Sequence, residues 1–319
     1  MRTDKLSDLD LPMGKEVRLR RILYGYGLRN GIGMFLDLSR WTEGERSDSS
    51  GVSSMEAMNP RMRLAVQGGF NGVVVDVDAA EPIAAGGAGE VPLVLELSGQ
   101  GRMRPTADLS MPRRGDVARA VRLGADAVCY TSRPGSTSQD DDLAGLRVVR
   151  SDCERYGMPL VLGIRPRSDP RTASVHPRDG RDSFFMVDYF ARTAADLGVD
   201  AVRVDFPDTS VRTGVPATYG RPVDPVEAVR SVVASAGPTL VLLSVPGQAP
   251  DSEMLACARQ AVAGGATGVV FGASLWERPQ NDALELIADL RSVLATGASH
   301  EPQDDDPGAP GPPTGATGY

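Results

Sequence analysis

Lysine is almost missing from this 319-residue chain: Lys5 and Lys15 are the only two, and every other one of its 34 basic residues is arginine. Chemistry that needs a lysine amine beyond residue 15 is therefore excluded. Histidine is as scarce, with only His176 and His300, so a zinc site built on two or three histidines has no material. The three cysteines, Cys129, Cys153 and Cys257, are scattered and form no C-x-x-C pair, which argues against a zinc ribbon and against a disulfide framework. No apolar run approaches the 18 residues of a membrane span, and Met1 to Pro12 alternates charged and apolar residues without the apolar core of a signal peptide. A reduced, cytoplasmic protein with no membrane partner is expected. Acidic residues outnumber basic ones, 42 to 34, for a net charge of −8, so nothing general draws the chain to nucleic acid.

What the chain does have is a repeat. Four segments share a glycine followed by a short apolar run: Gly69-Phe-Asn-Gly-Val-Val-Val-Asp76, Gly124-Ala-Asp-Ala-Val-Cys-Tyr130, Gly198-Val-Asp-Ala-Val-Arg-Val-Asp205 and Gly265-Ala-Thr-Gly-Val-Val-Phe-Gly272. A helically spaced stretch precedes each, and glycine suits the left-handed end of such a helix. The Val-rich, non-alternating runs fit parallel strands covered on both faces. Runs of a second kind lie between them, Pro92-Leu-Val-Leu-Glu-Leu97, Pro159-Leu-Val-Leu-Gly-Ile164 and Pro238-Thr-Leu-Val-Leu-Leu-Ser244, and Gly33-Met-Phe-Leu-Asp37 stands in front. That makes eight strands, ending near 37, 77, 97, 130, 164, 205, 244 and 271, each with room for a helix. The expectation is an α/β fold, a single (β/α)8 TIM barrel over 31–298, entered through an N-terminal segment and barrel-base helix over 1–30. A doubly wound open sheet is the alternative. Residues 299–319, acidic and rich in Pro and Gly, are expected to form a disordered tail. Segments 40–56 and 166–182 read as long insertions after strands one and five, where substrate-covering loops belong, or as tolerated surface insertions.

Barrel enzymes carry their chemistry at the C-terminal ends of the strands. Those positions here are Asp37, Asp76 with Asp78, Glu96, Tyr130, Arg165, Arg203 with Asp205, Ser244 and Gly272. Residues two apart on a strand share a face, so Arg203 and Asp205 point together, as do Asp76 and Asp78. If that face is inward, carboxylates and arginines crowd one cavity, a setting that shifts pKa values in both directions and suits general-base chemistry. Buried ion pairs holding the barrel layers together would use the same residues. The loops Ser244-Val-Pro-Gly247-Gln248 and Gly272-Ala273-Ser274 lie where barrels commonly cradle phosphate on backbone N–H groups. Trp41 and Trp276 either line the cavity or pack beside loops, Cys129 reads as a small core residue, and His176 as an exposed loop residue or a proton carrier.

The chain resembles the class I aldolases of the archaeal fructose-bisphosphate aldolase type, with their aminodideoxyheptulosonate synthase and autoinducer thiolase relatives. The likeness runs from Gly14-Lys-Glu-Val-Arg-Leu-Arg-Arg-Ile22 through Asp37, Gly124-Ala-Asp-Ala-Val with Gly135-Ser136, Pro159-Leu with Arg165-Pro-Arg167, and Gly198-Val-Asp-Ala-Val-Arg203. It ends with Gly264-Gly-Ala-Thr-Gly-Val-Val-Phe-Gly272 and Trp276. In that family a strand-six lysine forms a Schiff base, a strand-five tyrosine moves protons and a strand-one aspartate assists; they fall on Arg203, Arg165 and Asp37. The family's Asp-His-Gly reads Asp37-Leu38-Ser39, and its phosphate-holding Gly-Arg reads Gly272-Ala273. A guanidinium stays protonated and does not condense with a ketone.

The resemblance therefore implies an aldolase-like carbon–carbon lyase or synthase, or an enolate-forming isomerase, working without the Schiff-base lysine on a small, phosphorylated keto compound. Arg203 and Arg165 would stabilise the enolate oxygen and Asp37 would take the proton, with Asp205 and Tyr130 beside them. Asp76, Glu96, Arg167, Ser244, Gly247, Gly272 and Ala273 would bind the substrate. No cofactor and no metal are expected, and the relatives imply a homo-oligomer. Two alternatives stand: a catalytically inactive homologue that binds a metabolite or a protein partner, and a Mg²⁺-dependent barrel enzyme with Asp76, Asp78, Glu96 and Asp205 as oxygen ligands.

Overall fold

The computed structural model of the chain describes residues 6–39 apart from 8, 54–98 apart from 78 and 82–88, 115–165 apart from 135–138, and 183–296 apart from 211–218 and 248. The expected tail over 299–319, residues 40–53 of the first insertion and the whole of 166–182 lie outside them, as do Lys5, Trp41, Asp78, Arg167, His176 and Gln248.

Eight parallel strands close into a barrel: β1 (Gly33–Asp37), β2 (Gly72–Asp76), β3 (Leu93–Glu96), β4 (Ala127–Ser132), β5 (Leu160–Ile164), β6 (Ala201–Asp205), β7 (Leu240–Ser244) and β8 (Gly268–Phe271). Each pairs with the next, and β8 returns to β1, so the open-sheet alternative falls. Seven strand ends fall within a residue of the expectation; β4 runs on through Thr131 and Ser132. The helices are α1 (Met13–Arg20), continued by a π-helical turn (Arg21–Gly25), α2 (Ser54–Gln67), α3 (Val117–Arg122), α4 (Gln139–Tyr156), α5 (Phe184–Asp196), α6 (Pro225–Ser235), α7 (Asp251–Ala263), the one-turn α8 (Ala273–Trp276) and α9 (Gln280–Thr296).

The repeat explains itself in three dimensions. Its glycines Gly69, Gly124, Gly198 and Gly265 all have positive φ, between 62° and 87°, where a side chain would strain the turn from helix into strand. Two residues on, just before strands β2, β4 and β6, stand Asn71, Asp126 and Asp200, and all three hold the N-terminal segment. The Asn71 amide donates to the Ile22 and Tyr26 carbonyls at 2.8 Å, Asp126 pairs with Arg21 at 3.1 Å, and Asp200 pairs with Lys15 at 3.0 Å. Alternate strands thus clamp α1 and its π-helical turn across the base of the barrel.

Strand alternation builds two cores. Met34, Leu36, Val73, Val75, Leu162, Val204 and Phe271 point outward under the helices. Phe35, Val74, Val94, Ala127, Cys129, Val161, Leu242 and Val270 point inward and meet Leu19, Ile22 and Leu23 of the base plug. Large and small residues interlock there: a Cβ on Gly72 or Gly268 would stand 3.1 or 3.0 Å from the Phe35 ring. Full burial of each such Leu or Phe contributes roughly 1.5–3 kcal/mol. The packing leaves an apolar cavity of only about 30 Å³ in the barrel interior, room for about two waters. A substrate therefore cannot pass below Arg203, which lines that cavity, and must be met at the mouth.

Candidate active site

At the upper rim the inward register of the strands brings Asp37, Asp76, Glu96, Thr131, Arg203 with Asp205, and Ser244 onto the same side of the sheet, because each lies two or four residues above an interior core position. Asp37, only 2% exposed, is the hub. Its Oδ1 accepts from the backbone N–H and the hydroxyl of Ser39, at 2.9 and 2.6 Å. Its Oδ2 receives two guanidinium groups, the Arg203 Nη2 at 2.5 Å and the Arg165 Nη2 at 3.5 Å. The Trp276 indole N–H donates to the Asp37 carbonyl at 3.0 Å, and the Arg61 guanidinium lies 4.6 Å from the centre of the Trp276 ring. Of the two readings given to Trp276, this is the packed one, with a positioning consequence: α8 fixes the backbone that carries Asp37.

Burial would raise the pKa of the Asp37 carboxyl, but the charge of Arg203, then that of Arg165, then the Ser39 and Arg203 hydrogen bonds outweigh it and hold it well below the usual carboxylate range. Asp37 held in this way is an anion at neutral pH and a weak base, which weighs against the expectation that it takes the substrate proton. Burial works against the charge of Arg203, yet Asp37 more than offsets it, and the guanidinium stays charged. Its Nε donates to the Ser244 hydroxyl at 2.8 Å, which fixes the plane of the fork.

Asp205, two residues above Arg203 on the same face, is half-buried and makes no hydrogen bond or ion pair among the described residues. It is the open carboxylate of the mouth. Glu96 is not: Ser98 N and Oγ, Thr131 N and Thr131 Oγ1 donate to it at 3.2, 2.7, 3.2 and 2.7 Å. Those four donors tie the tip of β3 to β4 and leave it little capacity for a substrate, against its expected binding role. Asp76 is 1% exposed and stands level with Glu96 in the β2–β3 register. Among the described residues no group of three or more His, Cys, Asp or Glu is arranged to hold a metal ion, so Asp76, Glu96 and Asp205 form no such group by themselves; Asp78, the fourth carboxylate of the magnesium alternative, lies outside the described residues.

Tyr130 requires a correction. It points outward into the helix layer, 1% exposed, and its hydroxyl donates to the Asp142 carbonyl of α4 at 3.1 Å. The inward residues of β4 on either side of it are Cys129 and Thr131, above Ala127, and burial pushes the pKa of the Cys129 thiol well above its ordinary value. Aligning the repeats on Asn71, Asp126 and Asp200 carries the missed signal, since Tyr130 then matches Val75 and Val204, both outward, and Thr131 matches Asp76 and Asp205. Tyr130→Phe is expected to cost about 1 kcal/mol in urea unfolding, the worth of one buried hydrogen bond, and to leave any turnover unchanged.

The remaining predicted positions border the mouth. Gly272 sits inward on the β8 side with no atom within 4 Å of where a Cβ would be, which is open space beside β1 and β7; Ala273 opens α8, and Gly247 is exposed after β7. Arg167, outside the described residues, has no placement. Ser39, Ser98 and Thr131 were missed because a single hydroxyl after a strand carries no sequence signal until its partner carboxylate is placed. No helix among the described residues is long and apolar enough to cross a membrane.

Comparison with known proteins agrees with this architecture. The chain is 28% identical over 296 residues to the class 1 fructose-bisphosphate aldolase of Thermoproteus tenax, covering 92% of this chain and 95% of that protein. It is 28% identical over 188 residues to the 2-amino-4,5-dihydroxy-6-oxo-7-(phosphonooxy)heptanoate synthase of Streptomyces griseus, covering 58% and 60%. The solved structure of a Schiff-base-forming fructose-1,6-bisphosphate aldolase superposes with a TM-score of 0.67 at 26% identity, covering 86% of this chain and 99% of that one. An archaeal fructose 1,6-bisphosphate aldolase gives 0.68 at 26%, covering 87% and 99%. With residues 40–278 matching the model of the DeoC/LacD family aldolases, the chain belongs to that family.

Proposed function

We propose that this protein is an aldolase-like carbon–carbon lyase or synthase, or a related enolate-forming isomerase, that acts on a small phosphorylated keto compound without a Schiff-base lysine. The observation that carries the proposal is the convergence of the Arg203 and Arg165 guanidinium groups on one oxygen of Asp37 at the barrel mouth. Two fixed cations at that point stabilise negative charge developing on a carbonyl oxygen, and in a site closed to bulk water one such donor contributes about 3 kcal/mol. Lys15 does not enter: it is buried at the opposite end of the barrel, paired with Glu154 and Asp200. Arg203 takes the place of the family lysine in this reading, and the chemistry becomes electrostatic instead of covalent.

The proton then goes to Asp205, the open carboxylate beside Arg203, while Asp37 holds both arginines at the mouth. Ser244, whose oxygen accepts from Arg203 Nε, keeps its own O–H as a further donor. The phosphate of the substrate is assigned to the backbone at Gly247 and Gly272–Ala273, beside the open space on the β8 side. The phosphorylated compounds named for the Thermoproteus and Streptomyces relatives support that assignment.

The test is solvent deuterium exchange into dihydroxyacetone phosphate and related ketones, followed by NMR, with borohydride trapping alongside. Exchange that falls at least 100-fold in Asp205→Asn and leaves no trapped adduct is the expected result. A borohydride-stable adduct on either lysine would overturn it. A second reading, an inactive homologue that binds a metabolite or a partner protein, is favoured by one observation: Arg203 and Asp37 already satisfy one another. Exchange absent across the whole ketone panel would select it.

A further inference from the structure

The two arginines of the mouth are not equivalent. Arg203 is fixed in place: its Nη2 lies on Asp37 and its Nε on Ser244, which leaves its Nη1 donors for a substrate oxygen, and Glu96 adds to the negative field around it. Arg165 is not. It follows the last residue of β5, its side chain is 24% exposed, and the one polar contact of its guanidinium among the described residues is the 3.5 Å approach of Nη2 to Asp37 Oδ2, at the limit of a hydrogen bond. A guanidinium carries five N–H donors in a rigid fork, so most of the donors of Arg165 have no partner among the described residues.

We infer that Arg165 is the receptor for a carboxylate carried on the carbon next to the reacting carbonyl, so that the keto compound this site takes is a 2-oxo acid. The inference rests on the proposed enolate chemistry and adds a substrate class to it. Its geometric basis is that the Nη2 atoms of Arg203 and Arg165 touch the same oxygen, Asp37 Oδ2. Two donors that share one oxygen are close enough to be bridged by a single small planar anion. A 2-oxo acid presents its carbonyl oxygen and a carboxylate oxygen on adjacent carbons and in one plane, one for Arg203 and the other for Arg165. Arg165 can turn to meet it because its hold on Asp37 is long and solvent reaches it, whereas Arg203 is locked at its Nε and Nη2. Bidentate pairing with a carboxylate is the interaction for which the arginine fork is best shaped.

The experiment uses the full chain with pyruvate as the probe and dihydroxyacetone phosphate as the comparison. Binding is followed by isothermal calorimetry, and deuterium uptake into each ketone by NMR. The expected result is that pyruvate binds, that its dissociation constant rises about 30-fold in Arg165→Gln, and that Arg165→Lys recovers part of the loss. Uptake into the pyruvate methyl group should follow the same order, and binding of dihydroxyacetone phosphate, which has no carboxylate, should weaken less in Arg165→Gln than binding of pyruvate does. Pyruvate that fails to bind, or binds Arg165→Gln as it binds the parent, overturns the inference, and exchange into dihydroxyacetone phosphate would then leave the proposed function standing. Pyruvate binding that depends on Arg165 with no exchange into either ketone would uphold the carboxylate receptor and overturn the enolate chemistry.

Discussion

Asp37→Asn is expected to lower the stability of the protein by about 3 kcal/mol, because it leaves the buried Arg203 guanidinium facing a neutral amide. The size follows from burial: Asp37 is 2% exposed and the Arg203 side chain 11%, so solvent screens neither. Arg165, at 24% exposure, keeps more of its hydration and adds less. The same variant predicts a change in acid sensitivity. The carboxyl of Asp37 is held below its unfolded value, so its contribution is complete above that value, about pH 4, and is lost as pH falls from there toward its folded value. Urea unfolding at pH 7 and at a series of points below pH 4 should show the gap between parent and variant narrowing steadily with acidity. A gap that stays constant across that window would mean that Asp37 stabilises the fold by shape and not by charge.

Lys15→Met is the second large effect, expected at about 3–4 kcal/mol, although it lies at the far end of the barrel. Lys15 is 2% exposed and reaches Glu154 at 2.6 Å and Asp200 at 3.0 Å. Burial disfavours its charge, but Glu154 and Asp200 outweigh that and raise its pKa, so it stays charged at neutral pH. Asp200 is buried too, and for it burial dominates over the attraction of Lys15 and the N–H of Leu160, so its own pKa is raised. Methionine fills the space yet leaves that carboxylate without its counter-charge, the costly way to break a buried pair. Glu154, 47% exposed, is the lesser partner, and Glu154→Gln should cost under about 1 kcal/mol. Differential scanning calorimetry of the two variants separates these cases: equal losses would show that α1 is held by its apolar face alone. Gly14 and Gly157 add to that closure, since a Cβ on Gly157 would come within 2.9 Å of the Gly14 Cα.

Most of the barrel could be read directly. Strand number, parallel direction and the glycine turns follow from a four-fold repeat whose apolar runs are Val-rich and continuous, a pattern that only strands covered on both faces require. The pair of proline-led strands illustrates the rule: Pro92 and Pro159 precede β3 and β5 and accept ladder hydrogen bonds from Val73 and Val128, and no N–H is needed of them there. The direction of Tyr130 went wrong for a related reason. In a strand buried on both sides, hydrophobicity does not distinguish inward from outward, and only the comparison of repeats supplies the phase. Asp37, Arg165 and Arg203, in contrast, were recognisable one by one because a charged residue at the end of an apolar strand has nowhere to point except the mouth.

Composition and repeat by themselves determined eight parallel strands covered on both faces, with arginines and carboxylates at their ends and no lysine past residue 15 to serve there; the β8–β1 pairing decided that they close into a barrel. The fold alone decided which charges are free. Asp37, Glu96 and Asp205 are the same kind of residue in the sequence, yet Asp37 is held by two guanidinium groups, Glu96 is consumed by four donors from Ser98 and Thr131, and Asp205 is left open. The physical reason is that a carboxylate's chemistry depends on the few donors within about 3 Å of it, and those donors come from strands up to 166 residues away in the chain. Periodicity reports the face on which a residue lies; only closure of the barrel reports what stands across from it.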